Sequence, residues 1–92
     1  MEKPDYIKDT GDGFADVMLA RPAKIGGADV GVIRMREPTV RDLEAAQDAK
    51  MTEAGKEVFL LSNLCTITPD EVRAMTTRNY KRLQTAFSFF TD

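Results

Sequence analysis

The chain contains no histidine and no tryptophan. Without an imidazole there is no Ser-His-Asp or Cys-His catalytic arrangement and no histidine-based zinc site, which removes the commonest chemistries of small enzymes. There is a single cysteine, Cys65, so no internal disulfide can form, and one free thiol suits a reducing compartment. Long apolar runs are missing as well. The longest uncharged stretch, Val58–Pro69, is twelve residues, well short of the ~20 that a helix needs to cross a bilayer. No apolar segment stands behind Met1-Glu2-Lys3-Pro4-Asp5, so no signal peptide is expected. Charge of one sign is also scarce. Thirteen basic and fifteen acidic residues give −2, with −2 over residues 1–13 and 41–57 and +1 over 14–40 and 68–92. Nucleic-acid binders neutralise phosphates with clustered lysine and arginine, and no such cluster dominates here. These absences point to a soluble protein of the cytoplasm that is not an enzyme, takes no cofactor or metal, and meets neither nucleic acid nor membrane.

Within 92 residues, 42% hydrophobic and 30% charged, there is room for one domain of modest stability. Residues 1–13 are mostly polar, contain Pro4 and end in Gly11-Asp12-Gly13, a pattern that reads as a flexible N-terminal arm ahead of a single domain over 14–92. Asp9-Thr10-Gly11 spells the aspartic-protease tripeptide, but that chemistry needs two buried carboxylates sharing a proton. A solvated loop is the simpler reading.

From Phe14 to Ala20 the apolar residues alternate, with Ala15, Val17 and Leu19 on one side, and Val30–Arg36 alternates again. Gly26-Gly27 between them supplies the positive φ that a tight hairpin turn requires. Residues 14–36 are therefore expected to form a β-hairpin, which needs a cover on its apolar face. The remainder reads as helix. Thr39 with Asp42 resembles a capping box ahead of a helix over Val40–Met51 with a sparse stripe of Val40, Leu43, Ala46 and Met51. Gly55 or its neighbours are expected to break or loosen it. A second helix over Lys56–Thr66 places Val58, Leu60, Leu61, Leu64 and Cys65 on one face, with Ser62, Asn63, Thr66 and an out-of-place Phe59 opposite. Thr68-Pro69-Asp70-Glu71 is a full capping box with proline at the first helical position. It starts a short helix, and Thr76 or Thr77 caps a last one with the stripe Tyr80, Leu83, Phe87 and Phe90. The expectation is an α+β fold: an N-terminal β-hairpin followed by three or four short α-helices packed on it.

Several residues are candidates for contact with a partner. Phe59 lies on the polar side of its helix. Arg78 and Arg82 form part of a small basic patch on the last helix, where a solvated face is the plainer reading. Phe87, Phe89 and Phe90 crowd the last helix; either the core takes them, or they form an apolar patch for a partner or a second copy. Cys65, amid apolar neighbours and away from cations, reads as a packed core thiol.

Taken in order, Arg36-Glu37-Pro38-Thr39-Val40-Arg41-Asp42-Leu43, Leu60-Leu61-Ser62-Asn63-Leu64-Cys65, Ile67-Thr68-Pro69-Asp70-Glu71-Val72 and Asn79-Tyr80-Lys81-Arg82-Leu83-Gln84 resemble the tail assembly chaperone family of Mu-like and related long-tailed phages, over roughly residues 15–90. Asn79 stands where such proteins more usually have an acidic residue. The resemblance implies a protein of the bacterial host cytoplasm that binds the long, helical tape measure protein and keeps it soluble until the tail tube polymerises around it. It also implies that a frameshift-extended form is often made. The rival expectation is a small structural or adaptor protein that self-associates within the finished particle.

Overall fold

The computed structural model describes residues 3–48 and 50–91; the parts of the expected arm, first helix and domain at positions 1, 2, 49 and 92 lie outside the described residues. Three strands, β1 (Ile7–Asp9), β2 (Phe14–Ile25) and β3 (Ala28–Arg36), form an antiparallel sheet in the order β1-β2-β3. Four helices follow: α1 (Val40–Asp48), α2 (Glu53–Cys65), α3 (Pro69–Arg73) and α4 (Thr77–Phe90). The α+β arrangement of hairpin and helices is as expected. None of the described helices is long and apolar enough to cross a membrane.

The hairpin turn falls at Gly26 and Gly27, both at positive φ (60° and 84°), which gives the turn a twist matching the flanking strands. β2 runs further than the alternation suggested, through Pro22 to Ile25, because the ladder shifts register between Met18 and Ala23. A proline has no N–H to give a ladder and is tolerated at such an irregularity. Asn79, at the start of α4 and 1% exposed, closes that gap. Its Nδ2 donates to the Arg21 carbonyl at 2.8 Å and its Oδ1 accepts from the Arg21 N–H at 3.1 Å. One side chain thus satisfies both backbone polar groups of a residue that the ladder leaves free.

The N-terminal segment corrects the sequence reading. Residues 7–9 are not part of a flexible arm but pair with β2, Ile7 opposite Val17, and Ile7 is 1% exposed in the core. Three residues are too few to show a period, and their order comes from the unpaired edge of β2, which they satisfy. The Gly11–Gly13 turn follows from local bonds: the Gly11 N–H donates to Asp9 Oδ1 and the Thr10 hydroxyl to the Phe14 carbonyl.

One face of the sheet carries Ile7, Ala15, Val17, Ile33 and Met35, and it packs on Leu61, Leu64 and Cys65 of α2 and Leu83 and Ala86 of α4. Burial pushes the Cys65 thiol up to about 12, so it is neutral at physiological pH. Ser62, placed on the polar side by the wheel, is instead buried; its hydroxyl donates to the Phe59 carbonyl at 2.8 Å, which removes the cost of an unpaired buried polar group. Gly55 does not break a helix. It sits in the first turn of α2, its N–H donating to the Thr52 hydroxyl at 3.1 Å, so the cap at Thr52 and not the glycine sets the boundary.

α2 ends one residue before the expected Thr66. Thr66 lies in the left-handed region at φ 56°, its N–H donating to the Asn63 carbonyl and that of Ile67 to the Ser62 carbonyl, the two bonds of a Schellman closure. The capping box of α3 is present in full. Its Glu71 also accepts from the Gly26 N–H at 2.7 Å, tying the hairpin turn to the helical layer. Those bonds, that from the Thr68 N–H foremost, hold the Glu71 carboxyl below its usual range.

Candidate partner-binding groove

The junction of β3 with α1 is held by a cluster of side-chain hydrogen bonds. The Arg36 guanidinium grips the Asp42 carboxylate with both terminal nitrogens, at 2.6 and 2.8 Å. Asp42 also accepts from the Thr39 N–H at 2.8 Å, and its own N–H donates to the Thr39 hydroxyl at 3.3 Å. This is the box read in the sequence, reinforced by a two-pronged arginine clamp of the stronger, charge-assisted kind. Arg36 first, with Thr39, holds the Asp42 carboxyl far below its ordinary range. The clamp aims α1 off the end of β3 and lays it against α2.

Only Ala46 of α1 is buried, while Val40 is 74% exposed and Leu43 42%. α1 thus forms one wall of an open groove of about 480 Å³. Leu43 and Ala46 line it from α1, Leu60 and Leu61 from α2, and Phe87 from α4, with Gln47, Glu53, Glu57, Gln84 and Ser88 also in its walls. The opposite side is braced. Glu57 accepts from the Tyr80 hydroxyl and from Gln84 Nε2, the latter at 2.7 Å, and so links α2 to α4. Burial, then the Glu57 carboxylate, raises the Tyr80 phenol above its ordinary value, which leaves it a proton donor. Lys56, mostly buried along its stem, reaches Glu53 at 3.5 Å. A groove with an apolar lining and a mixed polar rim is suited to an amphipathic helix, whose apolar side chains at every third or fourth position would fill it.

The six expected contact residues do not converge. Phe87 is the one that lines this groove. Phe89 and Phe90 pack on each other, ring centroids 5.6 Å apart, and face Asp9, Gly11, Gly13 and Glu37 in a separate shallow depression. Phe90 also packs against the core. Phe59 is half-buried on α2, and Arg78 is exposed at the start of α4. Arg82 is tied to the sheet, donating to the Met18 carbonyl at 2.8 Å and stacking over the Tyr6 ring at 4.3 Å. The sequence reading did not single out Leu43, Ala46 and Leu60 as partner-facing. The available signal was the sparse stripe of α1, too thin to bury on two sides.

A family described as phage tail assembly chaperone proteins, E, or 41 or 14, matches residues 16–92. No curated protein and no solved structure matches the chain. The matched region takes in most of β2, all of β3 and every helix, including the clamp at Arg36 and Asp42 and all the groove-lining residues. The chain belongs to the phage tail assembly chaperone family.

Proposed function

We propose that this chaperone acts without catalysis in the bacterial cytoplasm, binding the tape measure protein of its phage and keeping it soluble until the tail tube encloses it. Within the family assignment, the observation that carries this reading is the groove between α1, α2 and α4. Its apolar residues are open on one side, with Leu43 42% exposed, and a long helical protein offers the complementary apolar stripe. Leu43, Leu60 and Phe87 are the proposed contacts, with Glu53 and Glu57 at the rim. Shielding such stripes is what keeps an unassembled, strongly amphipathic helix from aggregating.

The test is co-expression with the tape measure protein of the same phage, scored by its solubility and co-purification. The tape measure protein is expected to become soluble and to travel with the chaperone, and Leu43→Asp, an exposed position on α1, is expected to abolish both while the circular dichroism stays native. A tape measure protein that remains insoluble with this chain and with any extended form of it would refute the reading. Stoichiometric recovery of the chain from finished particles would favour a structural role instead.

A further inference from the structure

The sheet has unequal edges. β1, at one side, is three residues long, whereas β3, at the other, runs for nine with no strand beyond it among the described residues. Met18 and Val32 face each other across the ladder, and the Met18 N–H donates away from β3, to the Tyr6 carbonyl at 2.8 Å. In an antiparallel ladder the two members of such a pair turn their polar groups in opposite directions. The N–H and C=O of Val32 therefore point out of the sheet at its free edge, as do those of Arg34 two residues on. Proteins usually shield such an edge with charge, proline or a covering element. Here Val32 is 50% exposed, and the Arg34 guanidinium turns back to Asp16 on β2 at 2.9 Å.

Beside this edge lies a cleft of about 330 Å³, whose far wall is the end of α2. Val30, Ile33, Leu64 and Ile67 make it largely apolar, and Arg34, already paired, is the one charged residue that lines it. Backbone groups in a row call for an extended chain, and the trough behind them calls for apolar side chains at alternate positions. A second copy fits this geometry poorly. Antiparallel pairing of two β3 edges about a two-fold axis puts both helical layers on the same face, where the two α2 walls compete for one space.

We propose that this cleft is a second docking site, which takes a short, extended, uncharged segment of the tape measure protein as a fourth strand. The inference rests on the proposed function, and it separates two modes of capture: a helical segment in the α1–α2–α4 groove and an extended one on β3.

Val32→Pro removes a donor that points away from β2 and leaves the internal ladder intact. In the co-purified complex it is expected to weaken binding of the tape measure protein by roughly tenfold with unchanged circular dichroism. In the unsubstituted complex, hydrogen exchange at the Val32 and Arg34 amides is expected to slow sharply relative to the free chaperone, a measurement that needs no variant. Binding abolished by Leu43→Asp but untouched by Val32→Pro, with those two amides still exchanging fast, would overturn the second site while leaving the proposed function intact. Failure of the unsubstituted chain to bind at all would overturn both. A free chaperone that sediments as a dimer and becomes monomeric on Val32→Pro would assign the edge to a second copy and overturn the proposal.

Discussion

Asn79 bears more of the tertiary structure than its position suggests, and replacing it tests how α4 is held. Its amide makes two hydrogen bonds, 2.8 and 3.1 Å, to the two polar groups of Arg21 at the irregular part of β2, from a side chain that is 1% exposed. Asn79→Ala removes both bonds and leaves an N–H and a C=O short of partners. At about 1 kcal/mol for each bond, with a further penalty for groups that water reaches incompletely, the loss is about 2–3 kcal/mol. For a domain of this size that corresponds to a fall in Tm of roughly 10–20 °C. Asn79→Asp is more discriminating. The carboxylate can still accept from the Arg21 N–H, but it cannot donate and it faces the Arg21 carbonyl oxygen. Burial and that oxygen raise its folded pKa above the unfolded value of about 3.9. A group with a raised folded pKa contributes its stability below the unfolded value and loses it as pH rises through the folded one. The deficit of Asn79→Asp against the unsubstituted chain is therefore expected to be largest at pH 7 and to shrink towards pH 4, where a protonated carboxyl can donate again. Urea denaturation followed by far-ultraviolet circular dichroism at both pH values measures this. A loss below about 0.5 kcal/mol for Asn79→Ala, or an Asn79→Asp deficit that does not change with pH, would refute the reasoning.

Three further outcomes are expected. Thr66→Gly should raise the urea midpoint, by about 0.5–1 kcal/mol in stability, because it relieves a left-handed conformation at φ 56° that glycine adopts without steric cost. Asp42→Asn should destabilise the chain at neutral pH, and the gap should close as pH falls below about 4. The folded pKa of Asp42 is depressed by Arg36, so its stabilisation is present above the unfolded value and is lost as pH falls through the folded one. Cys65, buried and with its thiol pushed up to about 12, should react with a thiol-specific disulfide reagent at pH 8 far more slowly in the native protein than in urea. The thiolate fraction alone accounts for a difference on the order of a thousandfold, and equal rates would show the thiol to be exposed.

Much of this architecture was legible residue by residue. The hairpin, its Gly26-Gly27 turn and the capping box at Thr68 depend on contacts a few residues apart, so local chemistry is enough to specify them. The same holds for the Thr39–Asp42 pair, but not for its third member: that Arg36 would clamp Asp42 follows from how the chain turns between β3 and α1. Phe87, read as either core or partner-facing, sits between those options, packed against the core on one side and open to the groove on the other. Arg82, read as part of a basic patch, is held by a carbonyl 64 residues away in sequence, a partner no local pattern could supply. Leu43 was read only as part of a stripe and not as partner-facing, because a sparse stripe of apolar residues looks the same whether a helix is covered on one side or two.

By itself, the sequence determined the class of the fold, the starts of α1, α3 and α4 and the lack of any imidazole, because propensity, capping and composition are short-range properties. Tertiary structure alone decided that residues 7–9 become a strand, that Ser62 is buried, that Asn79 stitches α4 to a break in β2, and that α1 stands far enough from α4 to leave a groove. Each of these depends on an unpaired edge, an unfilled space or an unsatisfied peptide group supplied by a distant part of the chain. Such needs arise only once the elements have been brought together.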